Sequence, residues 1–153
     1  MIEERISEMG IVLPGAPAPP AGSYVPVVRS GDLLYVSGQI PQRDGKIMFA
    51  GKVSDSNIAR AQESARLCAI NILAQAKSHL GDLEKVERIV SLTGFVNSVP
   101  EFTQHPKVIN AASDLLVEVF GSDRGSHSRM AVGASSLPLG VMTEIGAAIQ
   151  AKG

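Results

Sequence analysis

The stretch "SHSRMAVGASSLPLGVMTEIGAAI", residues 126–149, decides the fold. It reads as two strands around a turn at "SSLPLG", residues 135–140. The second strand is apolar on both sides. Val141, Ile145, Ala147 and Ile149 lie on one side, and Met142, Gly146 and Ala148 on the other. A strand of this kind is expected to be covered on both faces. Two charges interrupt the pattern: Arg129 among small apolar residues, and Glu144 inside an apolar run. Unpaired charge is costly inside a sheet. One reading makes the two residues a structural ion pair, or places them at strand ends within reach of solvent. The other gives Arg129 a carboxylate ligand, which its planar fork fits, and gives Glu144 a proton or a water to handle. Ala131, Gly133 and Ala134 leave room for such a ligand.

Upstream, the clearest helix runs over about 56–80. Ile58, Ala61, Ala65, Cys68, Ala69, Ile72, Leu73, Ala76 and Leu80 form one apolar stripe. Ser54, Asp55 and Ser56 are N-cap candidates, and Gly81 stands where a C′ glycine belongs. "KVERIVSLTGFVNS" alternates as a strand, with Val86, Arg88, Val90, Leu92, Gly94 and Val96 on one face. Pro106 opens a second helix with the stripe Val108, Ala112, Leu115, Leu116, Val119 and Phe120, and Gly121 ends it.

Nearer the N-terminus, "LLYVSGQI" places Leu34, Val36, Gly38 and Ile40 on one face, and Tyr35, Ser37 and Gln39 on the other. Ser30-Gly31-Asp32 and Asp44-Gly45 are turn signals in a meander of short strands. Residues 2–9 predict a short accessory helix. The proline- and glycine-rich "PGAPAPPAG", 14–22, predicts a linker lying on the domain. The order is β-β-β-α-β-α-β-β, an α+β fold with two helices on one face of a mixed sheet. Those helices cover only one side of the last strand. A second copy of the chain is the expected cover for the other, giving a homo-oligomer.

The totals narrow the function classes. The 153 residues suffice for one domain with a core. Fourteen basic and 15 acidic residues leave a net charge of −1, which does not suggest a nucleic-acid partner. Cys68 is the only cysteine, so a reducing cytosol is the expected compartment. It lies on the apolar stripe and reads as core. The N-terminus is acidic and polar, unlike a signal peptide, and no apolar run is long enough to predict a membrane span. His79, His105 and His127 lack ligand spacing, and no metal or cofactor is expected.

Four segments carry a family resemblance: "GSYVPVVRSGDLLYVSGQIP" (22–41), "DLEKVERIVSLTGFVNSVPEF" (82–102), "VINAASDL" (108–115) and "RMAVGASSLPLGVMTEIGAAI" (129–149). The chain resembles the YjgF/Rid group of reactive-intermediate deaminases, often labelled L-PSP endoribonucleases. The resemblance implies a chorismate-mutase-like fold assembled as a homotrimer with ligand clefts between subunits. It also implies cofactor-free hydrolysis of small enamines and imines, of the 2-aminoacrylate type, to 2-keto acids and ammonia. By the same resemblance, Arg129 binds a substrate carboxylate and Glu144 holds or activates water. Tyr24 lies near the active site, Ser37 and Gly38 line the pocket, and Asn110 opens the second helix. Ala131 occupies a position where many members carry cysteine. Ser23 replaces a common proline, residues are inserted between Phe102 and Asn110, and the first 13 residues are additional. The expected organisation is an extension and linker over 1–21 and one domain over 22–153, a longer and divergent branch. Rival expectations are a non-catalytic module that binds a small carboxylate metabolite, and the endoribonuclease of the family label. Composition gives the endoribonuclease little support.

Overall fold

The strand that is apolar on both sides occupies the centre of the sheet. In the computed structural model, which describes residues 1–153, β7 (Thr143–Ala151) pairs antiparallel with β2 (Leu33–Gln39) and with β5 (Val86–Asn97). β1 (Val27–Ser30) flanks β2, and β6 (Ser128–Ala134) runs parallel to β5 at the other edge, giving the order β1-β2-β7-β5-β6. A separate hairpin, β3 (Gln42–Arg43) and β4 (Lys46–Ile47), turns at Asp44-Gly45. Both turn residues have positive φ, 52° and 77°, as a two-residue type I′ turn requires.

α2 (Ile58–Leu80) and α3 (His105–Gly125) pack against each other and on one face of the sheet. The mixed α+β layer predicted from the sequence is therefore present. Ile72, Leu73, Ile109 and Leu116 fill the space over Leu34, Leu92, Ile145 and Ile149. α1 (Ile2–Glu8) is more than an accessory. Ile2, Ile6 and the following Ile11 join the same core, and the Ile2 N–H donates to Glu84 Oε1 at 2.7 Å.

Several local expectations are corrected. The N-cap of α2 is Asn57 rather than Ser54, Asp55 or Ser56: the Ser54 and Ser56 hydroxyls bond each other, Asp55 accepts from Gln104, and Asn57 Oδ1 accepts from the Ser54 N–H at 2.9 Å. Gly81 caps its C-terminus with φ 83°, as predicted. Gly121 breaks α3 at φ 83°, yet one more turn follows as far as Gly125. β5 does not keep a single alternation. Register shifts between Val86 and Arg88, and between Ile89 and Ser91, leave Arg88 exposed and bury Ile89 instead. β2 also breaks its alternation. Val36 pairs with Ala147 and Gln39 with Ile145, so Ser37 and Gly38 together oppose Gly146. That bulge sends Gln39 to the helix side, where it is buried, instead of the polar side.

Gly94 of β5 faces α3 so closely that a Cβ would stand 2.8 Å from Ile109 Cδ1 and 2.9 Å from Cγ1. Gly94→Ala is expected to overpack this seam and cost about 1–3 kcal/mol, read as a lower urea midpoint at unchanged slope.

The face of the sheet away from the helices is open. Tyr35, Phe95 and Met130 expose 51%, 38% and 61% of their surface there, beside half-buried Glu144, Gly146 and Ala148. No helix is long and apolar enough to cross a membrane.

Candidate functional site

The seven candidate residues separate into two groups on opposite faces of the sheet. Glu144 pairs with Phe95 and faces the open side. The β2 bulge turns Ser37 and Gly38 toward it. A Cβ on Gly38 would lie 3.0 Å from Glu144 Cγ and Cδ, and closer still to Oε2, so glycine is what lets the carboxylate approach the bulge. Glu144, Ser37, Gly38 and Tyr24 line one cavity of about 210 Å³, with Pro20 and Leu139 among its walls.

This pocket is held from outside by polar groups. The Ser37 hydroxyl donates to the Val25 carbonyl at 2.9 Å, and the Ser37 N–H donates to that of Pro26. Gln39 Nε2 donates to the Ser37 carbonyl at 3.0 Å. Buried Gln75 of α2 donates both to Gln39 Oε1 at 3.3 Å and to the Ala18 carbonyl at 2.9 Å. Gln75 thus ties the proline-rich segment to the bulge. The segment read as a linker supplies Ala18, Pro19, Pro20 and Ala21 to the cavity wall. Leu139, with φ 58° and 68% exposed, is an apolar residue held in the left-handed region at the cavity rim. The one trace of Gln75 in the sequence is a long polar residue beside an apolar stripe, which by itself reads as solvent-facing.

Arg129 is elsewhere. It pairs with Leu92, a core residue, and therefore points to the helix side. Its Nη1 donates to Ser113 Oγ at 2.9 Å and its Nη2 to the Pro106 carbonyl at 3.2 Å, both on α3. Asn110 is exposed between those two contacts, on the same stripe of the helix (106, 110, 113). Ala131 follows Arg129 on the same face of β6 and packs against the core.

Arg129 and Glu144, on the two strands around the SSLPLG turn, are consequently not on neighbouring strands. β5 runs between them. Their β5 partners, Leu92 and Phe95, are three residues apart, which sets the two Cα atoms about 14 Å from each other. The ion-pair reading fails with this geometry. No salt bridge includes either residue, and the Glu144 carboxylate makes no hydrogen bond within the chain. Both charges are available to something else.

Burial raises the Glu144 carboxyl above the ordinary carboxylate range. A carboxyl whose folded pKa is raised holds its proton more tightly when folded than when unfolded. Stability then falls as pH rises from the unfolded value through the folded one. Glu144→Gln is expected to raise Tm by about 1–2 °C at neutral pH, with the gain vanishing near pH 4. Melting curves across that range measure it. By contrast, the Cys68 thiol is fully buried and pushed up to about 12, which removes it as a nucleophile. No three His, Cys, Asp or Glu side chains converge as a metal site.

The mixed sheet, the helix layer and a carboxylate pocket at a β-bulge define an α+β protein of the chorismate-mutase-like type. The chain belongs to the family described as "YjgF/chorismate_mutase-like, putative endoribonuclease", whose model matches residues 3–146. The match begins at residue 3, so all of α1 but Ile2 lies within the family span. The chain is 42% identical over 150 residues to protein TCP17 of Trypanosoma cruzi, covering 97% of this chain and 93% of that one. The crystal structure of protein Atu1372 from Agrobacterium tumefaciens, itself of unknown function, superposes with a TM-score of 0.90 at 49% identity. That match covers 99% of this chain and 92% of the other. Escherichia coli TdcF with bound serine matches at 25% identity and a TM-score of 0.62, over 92% of this chain and 98% of that one.

Proposed function

We propose that the protein is a cofactor-independent deaminase, hydrolysing small carboxylate-bearing enamines and imines to 2-keto acids and ammonia in clefts between copies of the chain. The observation that carries this reading is a division of labour. An unpartnered Glu144 stands over the Ser37–Gly38 bulge, and an arginine with no carboxylate partner stands on the other face. A neighbouring copy whose β6 edge meets the rim of this pocket would bring an Arg129 to a Glu144. The apolar surface of Tyr35, Phe95 and Met130 supports such a neighbour, and the family resemblance supports a ring of three.

In the proposed reaction Arg129 anchors the substrate carboxylate by a charge-assisted fork. An enamine first gains a proton at its β-carbon and loses one from its nitrogen, giving the imine. Glu144 takes a proton from a water as that water adds to the imine carbon, and returns it to the nitrogen. As the carbon–nitrogen bond of the resulting amino alcohol breaks, the hydroxyl proton passes to the nitrogen, which leaves as ammonia, and the carbonyl forms. The pKa of Glu144, raised by burial, suits a group that accepts and returns one proton. The serine in TdcF supports a ligand of amino-acid size and charge, and also favours a second reading, a module that binds such a metabolite without turnover.

The test generates 2-aminoacrylate with a dehydratase and follows release of keto acid. Acceleration over the uncatalysed rate is expected, with a loss of roughly a hundredfold or more in kcat/KM for Arg129→Ala. No acceleration across several amino-acid precursors would sink the deaminase. Calorimetric binding of pyruvate or serine in that case would establish the binding module instead.

A further inference from the structure

Arg129 does not stand alone on its side of the sheet. Its Nη1 donates to Ser113 Oγ at 2.9 Å, Ser113 Oγ lies 2.8 Å from His127 Nε2, and His127 Nδ1 lies 2.7 Å from the Gly125 carbonyl. The direction of this chain follows from which atoms can donate. A carbonyl only accepts, so the proton of the neutral imidazole sits on Nδ1. Nε2 is then an acceptor, and the Ser113 hydroxyl must give its hydrogen to it. The lone pairs of Ser113 are left to receive Arg129. Each group has one role, and reversing any link leaves two donors or two acceptors facing each other.

The anchor of the chain is rigid. Gly125 is buried in the extra turn that follows the break at Gly121. A Cβ there would meet the Leu116 carbonyl oxygen and Val117 Cα, each at 2.7 Å, so the turn is seated directly on the α3 backbone. Two of the five N–H bonds of the guanidinium are thereby spent on neutral oxygens, Ser113 Oγ and the Pro106 carbonyl. Neither oxygen neutralises the charge. Both fix the plane of the group, and three N–H bonds stay free for a ligand.

We infer that Ser113 and His127 are positioning residues, which together hold the Arg129 guanidinium in the plane that receives a ligand carboxylate; this rests on the reading of Arg129 as a carboxylate anchor. The relay also explains why α3 continues past its glycine break: the additional turn delivers the Gly125 carbonyl to His127.

The test has two arms. Long-range ¹⁵N NMR at alkaline pH is expected to find the His127 ring in the Nδ1–H form, against the Nε2–H form usual for a free imidazole. Ser113→Ala is expected to move the Nε2 resonance. An Nε2–H ring in the wild-type protein overturns the relay. In the second arm, Ser113→Ala is expected to raise KM for 2-aminoacrylate about tenfold with kcat within about twofold. Ser113→Thr, which keeps the hydroxyl, is expected to return KM to within about threefold of wild type, and His127→Gln, which keeps an acceptor, to exceed His127→Ala in affinity. Equal KM values for Ser113→Ala and Ser113→Thr, or a loss confined to kcat or to Tm, overturn the positioning role. A wild-type protein that neither turns over 2-aminoacrylate nor binds pyruvate by calorimetry overturns the carboxylate reading, and with it the purpose assigned to the relay. The hydrogen-bond chain is still decided by NMR.

Discussion

Co-expression of two variants expected to be inactive alone, Arg129→Ala and Glu144→Gln, is expected to restore about one quarter of the wild-type rate of the proposed deamination. The figure follows if the proposed copies close into a ring. Arg129 and Glu144 of one chain lie on opposite faces of the sheet with β5 between them, so neither can serve the other's ligand. If each cleft takes its arginine from one copy and its glutamate from the next, a random equal mixture gives about one cleft in four with both residues intact. The arginine then comes from a Glu144→Gln chain and the glutamate from an Arg129→Ala chain. A mixture as inactive as its components would place both residues in one chain's site, and the composite cleft would be abandoned. The experiment discriminates strongly because the background is set by two severe losses, each about a hundredfold or more.

The second large effect is expected at a residue with no functional group. Gly38→Ala places a methyl group within 3.0 Å of Glu144 Cγ and Cδ. The β2 bulge cannot retreat, because Ser37 is fixed to the Val25 and Pro26 carbonyls and, through Gln39 and Gln75, to Ala18. The flexible partner gives way, so the carboxylate swings off the pocket. A displacement on the order of 1 Å is enough to cost about a hundredfold in rate. Stability is expected to change little, since the Glu144 side chain has no hydrogen bond to lose. Activity within a few-fold of wild type in a folded Gly38→Ala variant would show that the carboxylate does not act from this position. The Gly94→Ala change is the counterpart: it meets Ile109 in the core, and its cost is expected in stability.

Much of the architecture was legible because it is written in local periodicity. The stripe from Ile58 to Leu80 and the one from Val108 to Phe120 give the two helices within a few residues, and Gly81 and Pro106 mark ends that the structure keeps. The two-faced apolar character of 141–149 marked an interior strand, and β7 is central to the sheet, although its face away from the helices is open within the chain. Period-2 reading failed where register changed. It put Gln39 with Ser37 and Ile89 on the face opposite Leu92, because a bulge adds one residue to one strand and reverses every face beyond it. The candidate residues were found through the motif around them, yet their grouping was not. Alternation along one strand cannot say which strand lies next to it.

What the sequence determined by itself is the set of parts: two long amphipathic helices, a buried strand, an arginine and a glutamate that apolar surroundings leave without local partners, and glycines at tight turns. These follow from side-chain chemistry at fixed spacing, which needs no knowledge of distant contacts. The tertiary structure alone decided how the parts meet. Strand order inserted β5 between Arg129 and Glu144, the bulge at Ser37–Gly38 aimed a pocket at the carboxylate, and the turn after Gly121 carried a carbonyl to His127. Such arrangements depend on pairings between residues far apart in the chain, settled by burial of the whole core and not by any short stretch of it.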